Sequence, residues 1–492
     1  MNLALLPLDE RPANTRYPEQ IAAIAGAHLH LPPQSVLPNL RQIADRPALA
    51  KWLTALGPDI DGIAASVDLL GYGGLIASRI SHDSVGDVLA HIEPLLHVRR
   101  DDCPVFGFNV IQRISNANDA TEEPSYWAHY GTRLYAHSHE LDINQAEHAE
   151  QAIGKSIPSA VRQDWLTRRT RNHAINIAML YAAAQGQFDL LVIPSDDTSP
   201  IGLSARERKH LESLCAILQL ANVLMYPGAD DLGSAMIARL INHKLRHSPK
   251  VFVHFADASM AANIAPYEDR PIEMAVRTQI MAVGAQQTRC IDDANVVLFV
   301  SPPFERINGH DPDWRTVDCQ ARRAALLPSV YQLATWLREG RQVAVADVAF
   351  PNGAEPALVE LLFEHVDIAQ LAAFGGWNTA GNTLGTVLGA ACVPQVNNHA
   401  RHVALAHRLL EDWGYQSDVR DQLRTSPLCR DGLLTDVSAA EEVVAERLVP
   451  IATRIRAAGL ACQPHNVCLP WRRTFEVDFE LAPFISSKIP TT

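Results

Sequence analysis

The sequence has no cysteine pair at redox or metal-binding spacing. Its 8 cysteines are scattered over 492 residues, with no C-x-x-C and no Cys/His zinc pattern. Such a distribution reads as free thiols in a reducing compartment rather than a disulfide framework. No uncharged apolar run approaches the ~18–20 residues of a membrane span. The first residues reach Asp9-Glu10-Arg11 without a basic segment or an apolar core of signal-peptide length. A cytoplasmic chain is therefore expected. Positive charge is also in deficit: 42 Lys+Arg stand against 55 Asp+Glu, a formal net charge of −13. Nucleic acids and anionic membranes are bound chiefly through Lys and Arg, so neither is expected as a partner. The phosphate loop G-x-x-x-x-G-K-[ST], a helix-opening G-x-G-x-x-G after the first strand, H-E-x-x-H and G-x-S-x-G are all missing. Nucleotide hydrolysis, zinc peptidase and α/β-hydrolase readings thus lack support. The 20 histidines show no ligand spacing, so no metal and no cofactor are expected.

What the sequence does contain is a composition with 47% apolar and 20% charged residues, that of a globular chain with a large core. Its length exceeds the ~250–300 residues at which one core stops growing. Short apolar runs recur at 3–6, 62–67, 105–110, 190–193, 223–226, 251–255, 296–300, 343–346 and 371–374, with a weaker one at 28–31. Runs of this length, apolar throughout, suit parallel strands buried on both faces. Amphipathic stretches between them, such as 204–220 and 329–338, complete an α/β reading. Two architectures fit: a (β/α)8-type barrel-like parallel core, favoured here, or two tandem doubly wound sheets. Residues 1–392 are read as the α/β catalytic core. Within it, polar residues 121–159 form a helical excursion or lid, and 250–303 an inserted lobe. Residues 393–492 are read as a C-terminal helical subdomain with helices at 400–413 and 438–458. It ends in a β-like alternation at 473–481.

The carboxyl ends of parallel strands open onto one face, where ligands bind. Seven of the runs lead into clusters of chemistry-bearing residues. The first leads into Asp9, Glu10, Arg11 and Asn14. The second leads into Asp68, Tyr72 and Arg79, and the third into Gln112 and Arg113. The fourth leads into Asp196 and Asp197, and the fifth into Asp230 and Asp231. The last two lead into Asp347 with Asn352, and into Trp377, Asn378 and Asn382. A lone Asp after a strand is commonly the N-cap of the next helix. Clusters such as Asp-Glu-Arg and Trp-Asn-Thr exceed what caps need. The pair Asp196-Asp197 is the candidate catalytic element. Two close carboxylates cannot both ionise easily, so one keeps its proton, and an acid and a base coexist near neutrality. Glycoside hydrolysis uses such a pair. Trp377 suits stacking on a sugar ring, and Asn378 or Tyr72 can bond hydroxyls. Arg11, Arg79 and Arg113 either bind an acidic substrate group or pair with Asp9 and Asp68.

The motifs Leu6-Pro7-Leu8-Asp9-Glu10-Arg11-Pro12, Asp68-Leu69-Leu70-Gly71-Tyr72-Gly73-Gly74-Leu75 and Ser195-Asp196-Asp197 resemble a bacterial family. So do Pro227-Gly228-Ala229-Asp230-Asp231 and Gly376-Trp377-Asn378-Thr379-Ala380-Gly381-Asn382. That family is the bacterial domain-of-unknown-function 4127 family. The resemblance runs nearly end to end and implies no particular reaction. More loosely, Asp196-Asp197 is similar to the paired aspartates of O-GlcNAcase and hyaluronidase-like barrel glycoside hydrolases. The expectation is a glycoside hydrolase acting on a small glycoside or oligosaccharide, acetamido sugars included. The alternatives are a Mg/Mn-dependent enzyme on a small acidic or phosphorylated metabolite, and a non-catalytic sugar or metabolite-binding protein.

Overall fold

The computed structural model describes residues 1–143, 152–196, 198–304, 313–430 and 432–482. Six parallel strands form the first sheet: β1 (Asn2–Leu6), β2 (His28–His30), β3 (Gly62–Ser66), β4 (Val105–Phe108), β5 (Leu190–Val192) and β6 (Val223–Leu224). Their spatial order is β2-β1-β3-β4-β5-β6. Five parallel strands form the second: β7 (Lys250–Phe255), β8 (Gln286–Thr288), β9 (Val296–Ser301), β10 (Val343–Asp347) and β11 (Ala373–Gly375). Their order is β8-β7-β9-β10-β11. The chain divides into two compact units. Unit 1 comprises residues 1–22, 27–247 and 267–269 and holds the first sheet; unit 2 takes 23–26, 248–266 and 270–492 and holds the second.

The expected α/β class with parallel sheets is what the chain adopts. The strands fall into two sheets, and no ring closes among the described strands. Residues 250–303 supply β7, β8 and β9 of the second sheet, more than an inserted lobe would. Counted from its own first strand, each unit begins 2-1-3-4-5, a doubly wound order. In this order the winding reverses between the first and third strands, and the crevice beyond their carboxyl ends is where ligands bind.

Burial explains the uninterrupted apolar runs. Leu3, Ala4, Leu5 and Leu6 of β1 are all 0% exposed, so helices cover the sheet on both faces. In unit 1, Leu6, Ile63, Val105 and Leu191 pack with Leu53, Ile92 and Met179 from the flanking helices. In unit 2, Phe299, Val343 and Val345 pack with Leu333, Leu358 and Leu362. Residues beyond 393 make no separate core: Leu405, Leu448 and Phe479 lie in that same cluster. The alternation near the C-terminus becomes a strand, Asp478–Leu481, paired antiparallel with Pro464–Cys468.

One helix starts earlier than Pro328 suggests. It runs Cys319–Arg338 with Pro328 inside, because the Asp318 carboxylate caps the amides of Gln320 and Ala321. Buried Leu326, Val330, Leu333 and Leu337 then hold one face of it. Capping and burial together outweigh the ~3 kcal/mol that an interior proline costs. Among the described residues, no helix is long and apolar enough to cross a membrane.

Gly107 in β4 exists for packing. A Cβ there would lie 2.7 Å from the Phe188 ring. Replacing Gly107 by Ala is expected to destabilise unit 1 by about 1–3 kcal/mol through overpacking. Urea unfolding of the two proteins, compared at equal slope, checks this.

Candidate functional site

The strand ends of unit 1 carry two buried charge networks. The first joins β1 to β6. Arg11 donates through Nε and Nη2 to Asp9, at 3.0 and 2.7 Å, and through Nη2 and Nη1 to Asp230, at 2.5 and 3.2 Å. Asn14 Nδ2 adds a bond to Asp9 at 2.8 Å. Asp9, Arg11, Asn14 and Asp230 are all under 9% exposed. Gly228, at φ +135°, leaves the space where its own Cβ would stand 2.5 Å from the Asp231 carboxylate. Asp231 is wholly buried and raises the neighbouring Tyr226 hydroxyl, which burial has already pushed far above its ordinary value. Arg11 therefore pairs with Asp9, as one sequence reading held, and with Asp230 in place of Asp68. Arg11, Asp9, Asn14, Asp230 and Asp231 brace the strand ends and offer no exposed surface to a ligand. Glu10 is half-buried and accepts a bond from the amide of Leu40 at 3.4 Å.

The second network spans β3, β4 and β5. Ser66 ends β3 and caps the helix Val67–Tyr72, which puts Asp68 in its first turn. Gly73, at φ +92°, and Gly74, at φ +128°, then turn the chain into the helix Leu75–Ile80, which carries Arg79. The Asp68 carboxyl accepts from the amide of Val110 at 2.9 Å and from Gln112 Nε2 at 3.2 Å. Gln112 Oε1 in turn accepts from Arg79 Nε at 3.3 Å. Arg79 also binds Asp196 through Nη2 at 2.6 Å and Glu122 through Nη1 at 3.0 Å, and approaches Glu123 at 3.6 Å. Arg113 binds Glu122 at 2.9 Å and approaches Glu123 at 3.5 Å. Asp68, Arg79, Arg113 and Asp196 thus come together as the strand-end argument expects.

Electrostatics divides the acids of this network. Burial pushes Asp68 up to about 7, against the lowering effect of the Val110 amide and of Arg79, while Asp196 raises it further. Burial also raises Glu123, despite Arg79 and Arg113. Burial works against the charge of Arg113, but Glu122, Asp196 and Glu123 outweigh it and hold this guanidinium above its ordinary value. Asp196 and Glu122 face two guanidinia, Arg79 and Arg113, while burial favours the protonated forms of Asp68 and Glu123. The network reaches solvent at Arg113, with its side chain 35% exposed, at Asp196, 17%, and at Glu122, 16%. Asp197 lies outside the described residues.

Glu122 and Glu123 were missing from the sequence-based candidates. The two glutamates sit in the polar stretch read as an excursion or lid, where the chain forms the helix Trp127–Ile143. Their signal was an adjacent acidic pair just ahead of that helix. Tyr72, expected to meet substrate, is 1% exposed and faces Arg171, 4.8 Å from its ring centre. It is core packing.

Unit 2 solves its strand ends separately. Asp347 closes β10 and accepts from the amides of Glu355 and Ala349 at 2.5 and 3.3 Å. Arg322 forks onto Glu355 at 2.7 and 2.9 Å and donates to Ser301 Oγ at 3.0 Å. Burial, and then the charge of Glu355, raises Asp347 above the carboxylate range. A wide π-helical segment, Leu409–Val419, presents Asp412 to the amide of Gly376 at 2.7 Å and to Arg408 at 2.6 Å. Trp377 is 2% exposed and meets Phe475 edge-on at 5.9 Å. The expected sugar platform is therefore packed inside unit 2. Asn382 is buried on the helix capped by Thr379. Asn352 and Asn378 both adopt left-handed backbone, at φ +61° and +64°, and the Asn352 amide donates to the Asn378 carbonyl at 2.9 Å. Asp347, Asn352, Trp377, Asn378 and Asn382 thus belong to a different sheet and unit from Asp68 and Asp196. Among the described residues, no group of three or more His, Cys, Asp or Glu could hold a metal ion.

Two outcomes test these networks. Arg11→Met leaves two buried carboxylates without their guanidinium and is expected to cost about 3–5 kcal/mol. Arg99→Met, which breaks the exposed Arg99–Asp189 pair, is expected to cost less than about 1 kcal/mol. Urea denaturation distinguishes the two. The second outcome follows from Asp68. Its folded value, near 7, exceeds the ordinary 3.8, so the stability tied to its proton is complete below about pH 4 and is lost as pH rises towards 7. Asp68→Asn removes this dependence. The variant should gain on wild type by about 1.4 kcal/mol per pH unit across that window, and the gain should level off above it. Unfolding midpoints from pH 4 to 8 measure the difference.

No curated protein matches this chain. The sequence model described as "Protein of unknown function (DUF4127)" matches residues 3–480, and the chain belongs to that family.

Proposed function

We propose that the protein is a cytoplasmic acid/base hydrolase of a small polar substrate, with glycosides, acetamido sugars included, as the substrate class. One observation carries the reading. Asp196 is a partly exposed carboxylate held by Arg79, and a few bonds away Asp68 keeps its proton up to about 7. A buried acid with raised proton affinity linked to a partly exposed carboxylate is a pattern of acid/base sites. Cleavage of an acetal builds positive charge at carbon, and a fixed carboxylate in a partly dry site stabilises that charge. Asp196 fills this role. Glu122 shares the guanidinium of Arg79 and reaches solvent too, so it is the second carboxylate within range of a bound substrate. Asp68 is 1% exposed and does not meet substrate; it braces Gln112, which in turn positions Arg79 against Asp196.

A second reading has its own support. Arg113 is the most exposed member of the cluster and could hold an acidic or phosphorylated metabolite with no chemistry following. The two readings part in one experiment, in which the full chain is assayed against a panel of aryl glycosides. Hydrolysis of at least one is expected, falling by about 10²-fold or more in Asp196→Asn, the scale of a lost electrostatic stabiliser. If no glycoside turns over, or if Asp196→Asn is as active as wild type, the hydrolase reading fails. A thermal shift with sugar phosphates, without turnover, would then favour the second.

A further inference from the structure

Unit 2 contains a cleft of about 240 Å³, lined by Asp313, Trp314, Arg315, Phe350, Pro351, Asn352, Gln416, Arg420, Asp421 and Arg424. It opens beside the loop that follows β10, on the carboxyl-end side where parallel sheets bind ligands. Its charges are arranged unevenly. Arg315 lies over Trp314 and takes both lining carboxylates, Asp313 and Asp421, each at 3.2 Å. Among the described residues, no carboxylate forms an ion pair with Arg420 or Arg424. These two stand four apart on the helix Arg420–Arg424, a spacing at which like charges repel along one face. In a chain of net charge −13, the two guanidinia stand without an ion pair among the described residues, with Glu476 acting on Arg420 only through its nearby charge.

The walls are cross-linked by hydrogen bonds. Gln416 donates to the carbonyl of Phe475 at 2.7 Å and accepts from Arg420 Nη1 at 2.7 Å, and the guanidinium lies over the Phe475 ring at 4.9 Å. Arg420 Nε is buried with no partner. The facing loop is clamped to the π-helical segment by Ser417 Oγ, bonded to the Ala354 carbonyl at 2.6 Å, and by the Ala354 amide, bonded to the Asp412 carbonyl at 2.8 Å. Asn352 is fixed by its backbone, and no hydrogen bond within the described residues engages its side-chain amide. Burial, aided by Arg424 and Arg473 and opposed by Tyr415 and Glu476, pushes the Arg420 guanidinium down to about 10; it remains charged at neutral pH, and an oxyanion would relieve the repulsion.

We propose that this cleft is a binding site for a small organic oxyanion, a carboxylate or phosphomonoester. Arg420 and Arg424 hold the oxyanion, Asn352 bonds a neighbouring polar group, and Phe350 and Trp314 cover the carbon skeleton. The volume lies below the ~300–1,000 Å³ of drug-sized pockets, which limits the ligand to a small metabolite. The proposal is independent of the hydrolase reading, since every residue it uses belongs to unit 2.

Calorimetric titration of the full chain with inorganic phosphate, glucose 6-phosphate and malate tests it. Saturable binding of at least one probe is expected, weakening with added salt. The phosphate and carboxylate arms show which oxyanion is preferred. Arg424→Ala, an exposed position, should weaken binding at least ~10-fold. Asn352→Asp, which keeps a residue that tolerates left-handed backbone but adds a repelling charge, should weaken it similarly. Arg277→Ala, at an exposed site on the helix Ile272–Ala282, should change nothing. The proposal is overturned if no probe binds saturably, if Arg424→Ala and Asn352→Asp bind as wild type does, or if Arg277→Ala weakens binding equally.

Discussion

The Arg79 guanidinium is the constraint on which the strand ends of unit 1 depend. A parallel sheet delivers all its carboxyl ends to one side, and here that side collects Asp68, Glu122, Glu123 and Asp196. Left alone, these acids would repel one another in a low-dielectric setting. The Arg79 side chain is only 3% exposed, yet it touches Asp196, Glu122 and Gln112 at once. A planar fork of donors can do this and a lysine cannot. Its placement depends in turn on the Gly73-Gly74 turn, where left-handed φ values reverse the chain between two short helices. A backbone requirement at two glycines thus fixes the charge balance around an acid more than 100 residues away in sequence.

Unit 2 meets the same problem with different parts. Arg322 bonds Glu355 and Ser301, and Arg408 bonds Asp412, which itself holds the amide of Gly376. The shared winding order explains the likeness. Both sheets reverse direction after their first strand, so both gather polar loops at equivalent ends. No repeat of 20–50 residues is visible in the sequence, because buried strands constrain only apolar character and length, which many sequences satisfy. The correspondence lies in topology rather than residue identity.

The nine principal apolar runs all become strands, since uninterrupted aliphatic stretches bounded by Gly, Pro and Asp have few other uses in a chain of this length. The positions of Asp68, Arg79, Arg113 and Asp196 at one end of one sheet were legible for the same reason. Solvent contact was not. Trp377 and Tyr72 sit at strand ends by sequence, but their large side chains turn inward onto Phe475 and Arg171. Only tertiary packing decides that direction. The strand β8, Gln286–Thr288, escaped notice because it is a polar edge strand of three residues. The π-helical segment 409–419 was also hidden. Its sequence reads as an ordinary helix, and its width is set by the loops that Asp412 and Ser417 hold.

The two units end with opposite electrostatic surpluses, and this separates their chemistry. At the strand ends of unit 1 both guanidinia of the second network bind carboxylates, and four acids share them, with burial raising the proton affinity of Asp68 and Glu123. Such a site favours a group that becomes positive or accepts a proton. In the unit 2 cleft both lining carboxylates are taken by Arg315, and the surplus is guanidinium. Such a site favours a group that arrives negative. One ligand cannot be optimal for both, because the desolvation that strengthens attraction to one sign strengthens repulsion of the other. The two sets of strand-end charges therefore call for opposite counter-charges, each within its own unit.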